Sequence, residues 1–299
     1  MGERGTAWAA AVPELLHDVA ARWQLTLGQA FNGGTSALVL PARRADGTEC
    51  VVKAFVPELH EERGFERSVL THQLAGGRGC VALLDHDPGR RVLLLERLGA
   101  DVGALGHTVP QIMDAVTSTL REFWRPVPAE AALPDGAYGA QWLARFIVRT
   151  WEQLERPCDR RVIDRALTYC DERAAAYDPA TAVLVHGDAH GWNTLVAPDG
   201  GYKFVDPEGL RSERAHDLGI PMREYNGELI AGDTVRLTRA RAELLAGRCS
   251  AGADTVIDPE AVWQWGFIER VSTGLANLRD FDNDDGPTFL EVARRCAVG

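Results

Sequence analysis

With 299 residues, 45% of them hydrophobic and 25% charged, the chain has room for one large domain or two ordinary ones and is not a disordered sequence. A formal charge of −11 excludes the basic face that a phosphate backbone requires, so no nucleic-acid partner is expected. No apolar run approaches the ~20 residues of a membrane span, and no membrane association is expected. The N-terminus carries acidic Glu3 and only a short apolar patch before Pro13, which does not read as a signal peptide. Cys50, Cys80, Cys158, Cys170, Cys249 and Cys296 are scattered without paired metal or redox spacing. They suit reduced, mostly buried thiols and a cytoplasmic chain.

Leu15, Leu16, Val19 and Trp23 share one face of a short opening helix over residues 12–23. Residues 25–31 and 37–40 read as two strands joined by the turn Asn32-Gly33-Gly34-Thr35-Ser36. Gly33 and Gly34 permit positive φ and close backbone approach, so the turn is suited to present N–H groups to an anion. It is no Walker loop, because Gly34-Thr35 stands where Lys-Ser/Thr is required. Cys50–Phe55 is a third strand carrying Lys53 among apolar residues, ordinarily the mark of an edge. A helical pattern follows over 58–74, and Glu66 on it, 13 residues after Lys53, is the expected ion-pair partner, with Glu62 the second choice. Residues 81–84 and 91–95 complete a five-stranded sheet with one helix over 25–96. From there the pattern is helical: 110–124, 138–155 and 159–177, then 214–230, 233–247 and 259–280.

The central stretch is Val183-Leu184-Val185-His186-Gly187-Asp188-Ala189-His190-Gly191-Trp192-Asn193, followed by Tyr202-Lys203-Phe204-Val205-Asp206-Pro207. Short β-type runs deliver Asp188, Asn193 and Asp206 to strand ends. A carboxylate, an amide five residues on and a further carboxylate suit an enzyme that holds Mg²⁺-nucleotide while a base takes a hydroxyl proton. Asp188 is the candidate base; Asn193 and Asp206 are the candidate metal ligands. His186 and His190 have the spacing of a zinc pair, but no third ligand with suitable spacing appears.

On these residues, and on Val205-Asp206-Pro207-Glu208-Gly209 with Arg214-Ala215-His216-Asp217-Leu218, the chain resembles the aminoglycoside phosphotransferase family, most of all its streptomycin and hydroxyurea kinase branch. The resemblance runs from about Gly28 to Asp280. It implies an α+β, protein-kinase-like two-lobed fold: an N-terminal lobe, 1–97, with an antiparallel sheet and a helix, and a mainly helical C-terminal lobe, 98–299. It implies ATP and Mg²⁺ as cofactors. Gly33, Gly34, Thr35, Ser36, Lys53 and Glu66 would then serve the nucleotide phosphates, and the backbone of Glu96 and Leu98 would meet adenine. Asp217 would brace the catalytic loop, with His186 and His190 as structural support.

The departures narrow the reading. Gly187 stands where protein kinases carry arginine, and Asp206 is followed by Pro207 with no later Ala-Pro-Glu. Those features belong to activation-loop control, so a small-molecule kinase is expected. The acidic balance fits a cationic hydroxyl acceptor such as an aminoglycoside, and Glu269 and Asp280 are candidate acceptor contacts. The Asp280–Asp285 cluster equally suits a solvated turn. A same-fold kinase for hydroxyurea, an amino alcohol or a sugar, and a catalytically silent nucleotide-binding relative, stay open as alternatives, as does a monomer or dimer.

Overall fold

The computed structural model describes residues 3–31, 37–56, 64–252, 255–281 and 285–297. In chain order the first half runs α1 (Glu3–Trp23), β1 (Leu25–Leu27), β2 (Ala37–Arg44), β3 (Glu49–Phe55), α2 (Gly64–Ala75), β4 (Leu83–Asp87), β5 (Val92–Glu96), α3 (Val109–Phe123), α4 (Gly136–Gln153) and α5 (Arg160–Ala175). There follow β6 (Val183–Val185), β7 (Thr194–Val196), β8 (Tyr202–Phe204), β9 (Leu210–Ser212), α6 (Arg214–Arg223), α7 (Asn226–Ala231), α8 (Thr234–Ser250), α9 (Pro259–Asp280) and α10 (Asp285–Cys296). The architecture is α+β: an antiparallel sheet with helices, then a mostly helical part.

The chain forms two compact units, one of Met1–Gly99 with Val196–Pro207 and one of Ala100–Leu195 with Glu208–Gly299. The expected cut after residue 97 leaves out Val196–Pro207. That segment joins the first unit through backbone bonds from Val81 N to Phe204 O (2.8 Å) and from Phe204 N to Gly79 O (3.1 Å).

In the first unit the sheet has the order β1-β2-β3-β5-β4, with all pairs antiparallel. β3 is therefore central, paired through Lys53 to Val39 on one side and Leu93 on the other. Strand alternation sorts its residues by face. Cys50, Val52 and Ala54 pack with Val19 of α1, Ala42, Val92 and Leu94 into one buried core, which leaves Lys53 on the opposite face. α1 is longer than its apolar pattern suggests and is tied to the sheet by Trp23 Nε1 donating to Asp85 Oδ2 (2.7 Å) and Arg22 pairing with Asp87 (3.2 Å).

The second unit is built around α9. Ala261, Val262, Trp263, Trp265, Phe267, Ile268, Val271 and Leu275 are all buried, so this helix is enclosed on nearly all sides. Helix starts are fixed by side chains that satisfy free backbone N–H groups: Asp135, Asp159, Asp233 and Asp258 cap α4, α5, α8 and α9. The single helical stretch expected over 214–230 is two helices. Tyr225 breaks it with φ +54°, a left-handed conformation that ends α6 and starts α7. α10 has no counterpart among the expected helices, because its first residues also fit a turn.

α6 lies against α9 through two glycines. A Cβ on Gly219 would come within 2.8 Å of Trp265 Cβ and 2.9 Å of its carbonyl carbon, and one on Gly266 within 2.5 Å of Met222 Sδ. Gly219→Ala gains about 1 kcal/mol of helix propensity but forces two backbones apart, an overpacking that costs about 1–3 kcal/mol. We expect a net loss of stability, read as a lower midpoint in denaturant. An equal or higher midpoint would show that α6 can shift.

Among the described residues no helix is long and apolar enough to cross a membrane. Every cysteine is free; Cys158 is partly exposed and the others are buried.

Candidate active site

In the first unit, Lys53 is only 8% exposed, and its Nζ meets Asp206 Oδ1 at 2.5 Å and lies 5.0 Å from the Phe55 ring centroid. Asp206 has φ +58°, the left-handed region that costs a non-glycine residue about 1–2 kcal/mol. Its side chain is 53% exposed, so the strained carboxylate faces solvent while the lysine that grips it does not. Just before it, Lys203 on β8 pairs with Glu96 at the end of β5 (2.7 Å), and Glu96 also accepts from Ala82 N (3.1 Å).

Sequence spacing pairs Lys53 with Glu66, and here the structure differs. The buried face of α2 carries Phe65, Ser68, Val69 and His72; Glu66 lies off it and is exposed. Among the described residues no ion pair joins it to Lys53, whose carboxylate partner is Asp206. Gly33, Gly34, Thr35, Ser36 and Glu62 lie outside the described residues. Leu98 is buried.

In the second unit, β6 is fully buried and pairs antiparallel with β9, which fixes the start of the loop 186–193. Gly187 has φ +85°, and a Cβ there would come within 2.9 Å of Glu208 Cβ, so glycine is required. Asp217, on α6 and fully buried, accepts from His186 N (2.9 Å), Gly187 N (2.8 Å) and Trp124 Nε1 (2.7 Å). The His186 ring accepts from Asp188 N (3.2 Å), and its carbonyl accepts from Glu208 N (2.8 Å).

The Asp188 carboxylate is held from both sides. Oδ1 accepts from Arg223 Nη2 at 2.7 Å; Oδ2 accepts from Asn193 Nδ2 at 3.1 Å and lies 3.2 Å from His190 Nε2. Asn193 Nδ2 also donates to the Asp188 carbonyl (3.0 Å), and among the described residues its amide oxygen accepts no hydrogen bond. Burial alone would favour a protonated Asp188, but His190, Arg223 and His186 outweigh it and hold the carboxyl well below the usual carboxylate range. Burial opposes charge on His190, yet the Asp188 carboxylate outweighs it and raises the imidazole's pKa.

Of the expected acceptor contacts, Glu269 is 6% exposed and bound by Arg223 Nη1 (2.9 Å), and Asp280 is paired with its neighbour Arg279 (2.6 Å). Neither is an unengaged carboxylate. Trp263 and Phe267 belong to the core, whereas Trp192, between Gly191 and Asn193, is 60% exposed.

Comparison with known proteins decides the family. The model of the aminoglycoside/hydroxyurea antibiotic resistance kinases matches residues 22–278. The chain belongs to this family. It is 32% identical to streptomycin 6-kinase of Streptomyces glaucescens over 82% of this chain and 78% of that one. It is 31% identical to streptomycin 6-kinase of Streptomyces griseus over 99% of this chain and 92% of that one. Among solved structures, choline kinase of Streptococcus pneumoniae superposes with a TM-score of 0.64 over 96% of this chain and 99% of that one, at 13% identity. At that identity the likeness concerns the fold, which is protein-kinase-like. The protein is thus an O-phosphotransferase of the small-molecule kinase type.

Two residues of this kinase's loop surroundings escape sequence reading. Arg223 and Glu224, at the end of α6, sit 35 and 36 residues from Asp188 in a run with no motif spacing. Glu224 accepts from Arg223 Nε (3.1 Å), and its side chain is 23% exposed. Next to Asp188, whose side chain is 36% exposed, it is the second carboxylate there that reaches solvent, since Glu269 does not. No sequence signal marks either, since residues 214–230 read as one helical stretch.

Proposed function

We propose that this kinase transfers the γ-phosphoryl group of ATP to a hydroxyl of an aminoglycoside of the streptomycin class, in the cytoplasm, as a resistance enzyme. The observation that carries the reading is the Asp188 carboxylate, kept ionised and fixed on both oxygens. A hydroxyl held against it gives up its proton to the carboxylate as the oxygen forms its bond to the γ-phosphorus and the bond to ADP breaks. The near full-length similarity to streptomycin 6-kinases supports the acceptor class.

The remaining roles follow from charge. Lys53, buried and cationic, neutralises nucleotide phosphates. Asp206 and Asn193 each offer an oxygen, one charged and one neutral, to Mg²⁺. Among the described residues no three His, Cys, Asp or Glu side chains are arranged to hold a metal by themselves. One carboxylate and one amide oxygen suit a magnesium ion that keeps waters and shares phosphate oxygens. When bound, that ion would supply charge neutralisation at the β- and γ-phosphates. A cationic acceptor matches the excess of carboxylates around Asp188: Asp188, Glu224 and Glu269 against Arg223, with His190 adding one positive charge when protonated.

The test incubates the purified protein with Mg²⁺-ATP and streptomycin, other aminoglycosides, hydroxyurea, amino alcohols and sugars, and follows one added phosphoryl group by mass spectrometry. Phosphorylated streptomycin is expected. Phosphorylation confined to hydroxyurea or another neutral acceptor would overturn the acceptor class and keep the chemistry.

A further inference from the structure

Arg223 is 8% exposed, and each of its three guanidinium nitrogens meets a different carboxylate: Nη2 meets Asp188 (2.7 Å), Nη1 meets Glu269 (2.9 Å) and Nε meets Glu224 (3.1 Å). Glu269 is anchored in turn. Its other oxygen lies 3.7 Å from His216 Nε2, and the His216 ring stacks on Trp265 at 3.9 Å. The adjacent buried arginine, Arg270, is different in kind, since it donates to neutral oxygens of Asn226 (3.1 Å) and Met222 (2.7 Å). Unlike its buried neighbour Arg270, Arg223 is thus surrounded by three carboxylates.

The packing explains how it gets there. Gly219 and Gly266 let α6 and α9 approach to backbone contact, and Arg223 and Glu269 follow them by four and three residues, about one helical turn. α6 thus serves the loop twice: Asp217 takes the N–H groups of His186 and Gly187, and Arg223 takes the carboxylate of Asp188. The residue before Asp188 is Gly187, so the loop itself brings no arginine.

We propose that Arg223 is a positioning residue for phosphoryl transfer and that Glu269 acts through it. α9 holds the guanidinium, and the guanidinium fixes the Asp188 carboxylate in the plane that engages the acceptor hydroxyl. This rests on Asp188 being the group that meets that hydroxyl. A partly exposed aspartate turns about two side-chain torsions, and gripping Oδ1 on one side while Asn193 and His190 contact Oδ2 on the other removes that freedom. Misplacing a reacting group by about 1 Å costs about 100-fold in rate.

The experiment is a double-mutant cycle with Asp188→Ala, with residual turnover of streptomycin followed by mass spectrometry. Arg223→Ala is expected to lower kcat about 100-fold, with KM for ATP and for acceptor within about threefold. Added guanidinium chloride should restore part of the loss, and Arg223→Lys should lose less. Glu269→Gln should fall in the same direction by a smaller factor. In the Asp188→Ala background Arg223→Ala should cost nothing further. The same factor lost in both backgrounds, or a loss carried by KM alone, overturns the proposal. Should Arg223→Ala not fold, Arg223→Lys and Glu269→Gln run the same cycle, and an equal loss in both backgrounds overturns the proposal there too. Full activity of Asp188→Ala by itself would remove the reading beneath the proposal, and the single variant reports that before Arg223 is touched.

Discussion

Asp188→Ala should lower kcat by about 1,000-fold or more, with KM for ATP changed by less than about threefold. In the proposed reading this carboxylate takes the acceptor proton, and proton transfer by a positioned side chain contributes about 100- to 10,000-fold. Lys53 and Asp206, which we assign to the nucleotide, keep their own ion pair in this variant, so ATP binding should persist, measured by calorimetry with a non-hydrolysable analogue. The fold should persist too: Arg223 keeps Glu269 and Glu224 as partners, so no buried cation is abandoned. Asp188→Asn makes the sharper companion, since it keeps the shape and a hydrogen-bond acceptor for Arg223 but cannot take a proton. Turnover near the wild-type rate in either variant would remove Asp188 as the base. The depressed pKa adds a pH statement. The folded-state carboxyl protonates only below the ordinary value of about 4, so Asp188 contributes no acid limb to the kcat profile between about pH 5 and 8. A limb found there belongs to another group.

The fold was legible where local pattern and tertiary demand agree. The apolar run Cys50–Phe55 reads as a strand, and it lies at the centre of the sheet with Cys50, Val52 and Ala54 on its core face. Lys53 was harder, because a lysine in an apolar run ordinarily signals an edge. It sits instead on the face opposite the α1 core, where Asp206, 153 residues away, supplies its counter-charge. Spacing suggested Glu66 for that task, and spacing alone cannot say which face of α2 is buried. The candidate loop could be singled out because its polar residues are compressed into eight positions, His186 to Asn193. Asp217, expected to brace the loop, does accept from His186 N and Gly187 N, but the arginine that grips Asp188 could not be found. Arg223 and Glu269 meet because Gly219 and Gly266 thin two helices at their crossing, and helix crossings leave no short-range pattern to read. The same limit hid β9, a strand of three residues that exists by pairing with β6, and α10, whose acidic first turn also fits a loop.

Asp206→Asn should abolish the strengthening of nucleotide binding by Mg²⁺ and lower kcat/KM for ATP by about 100-fold or more. The substitution isolates charge from backbone. Asp206 holds φ +58°, and asparagine tolerates that left-handed conformation as readily as aspartate does, whereas alanine would add strain to the loss of the carboxylate. Lys53 loses its ion-pair partner in this variant. The asparagine amide oxygen can still accept from Lys53 Nζ, and the Asp206 side chain is 53% exposed, which screens part of the lost charge. Lys53 itself is only 8% exposed, so the denaturant midpoint is measured alongside binding. A binding defect in a variant that stays folded under the assay conditions must come from the nucleotide or its metal. The measurement is calorimetric: ATP analogue titrated into wild type and variant, with Mg²⁺ and with the metal chelated. Wild type should bind more tightly with the metal and the variant equally in both. A variant that keeps the full difference would take Asp206 out of the metal site and leave it only as the counter-ion of Lys53.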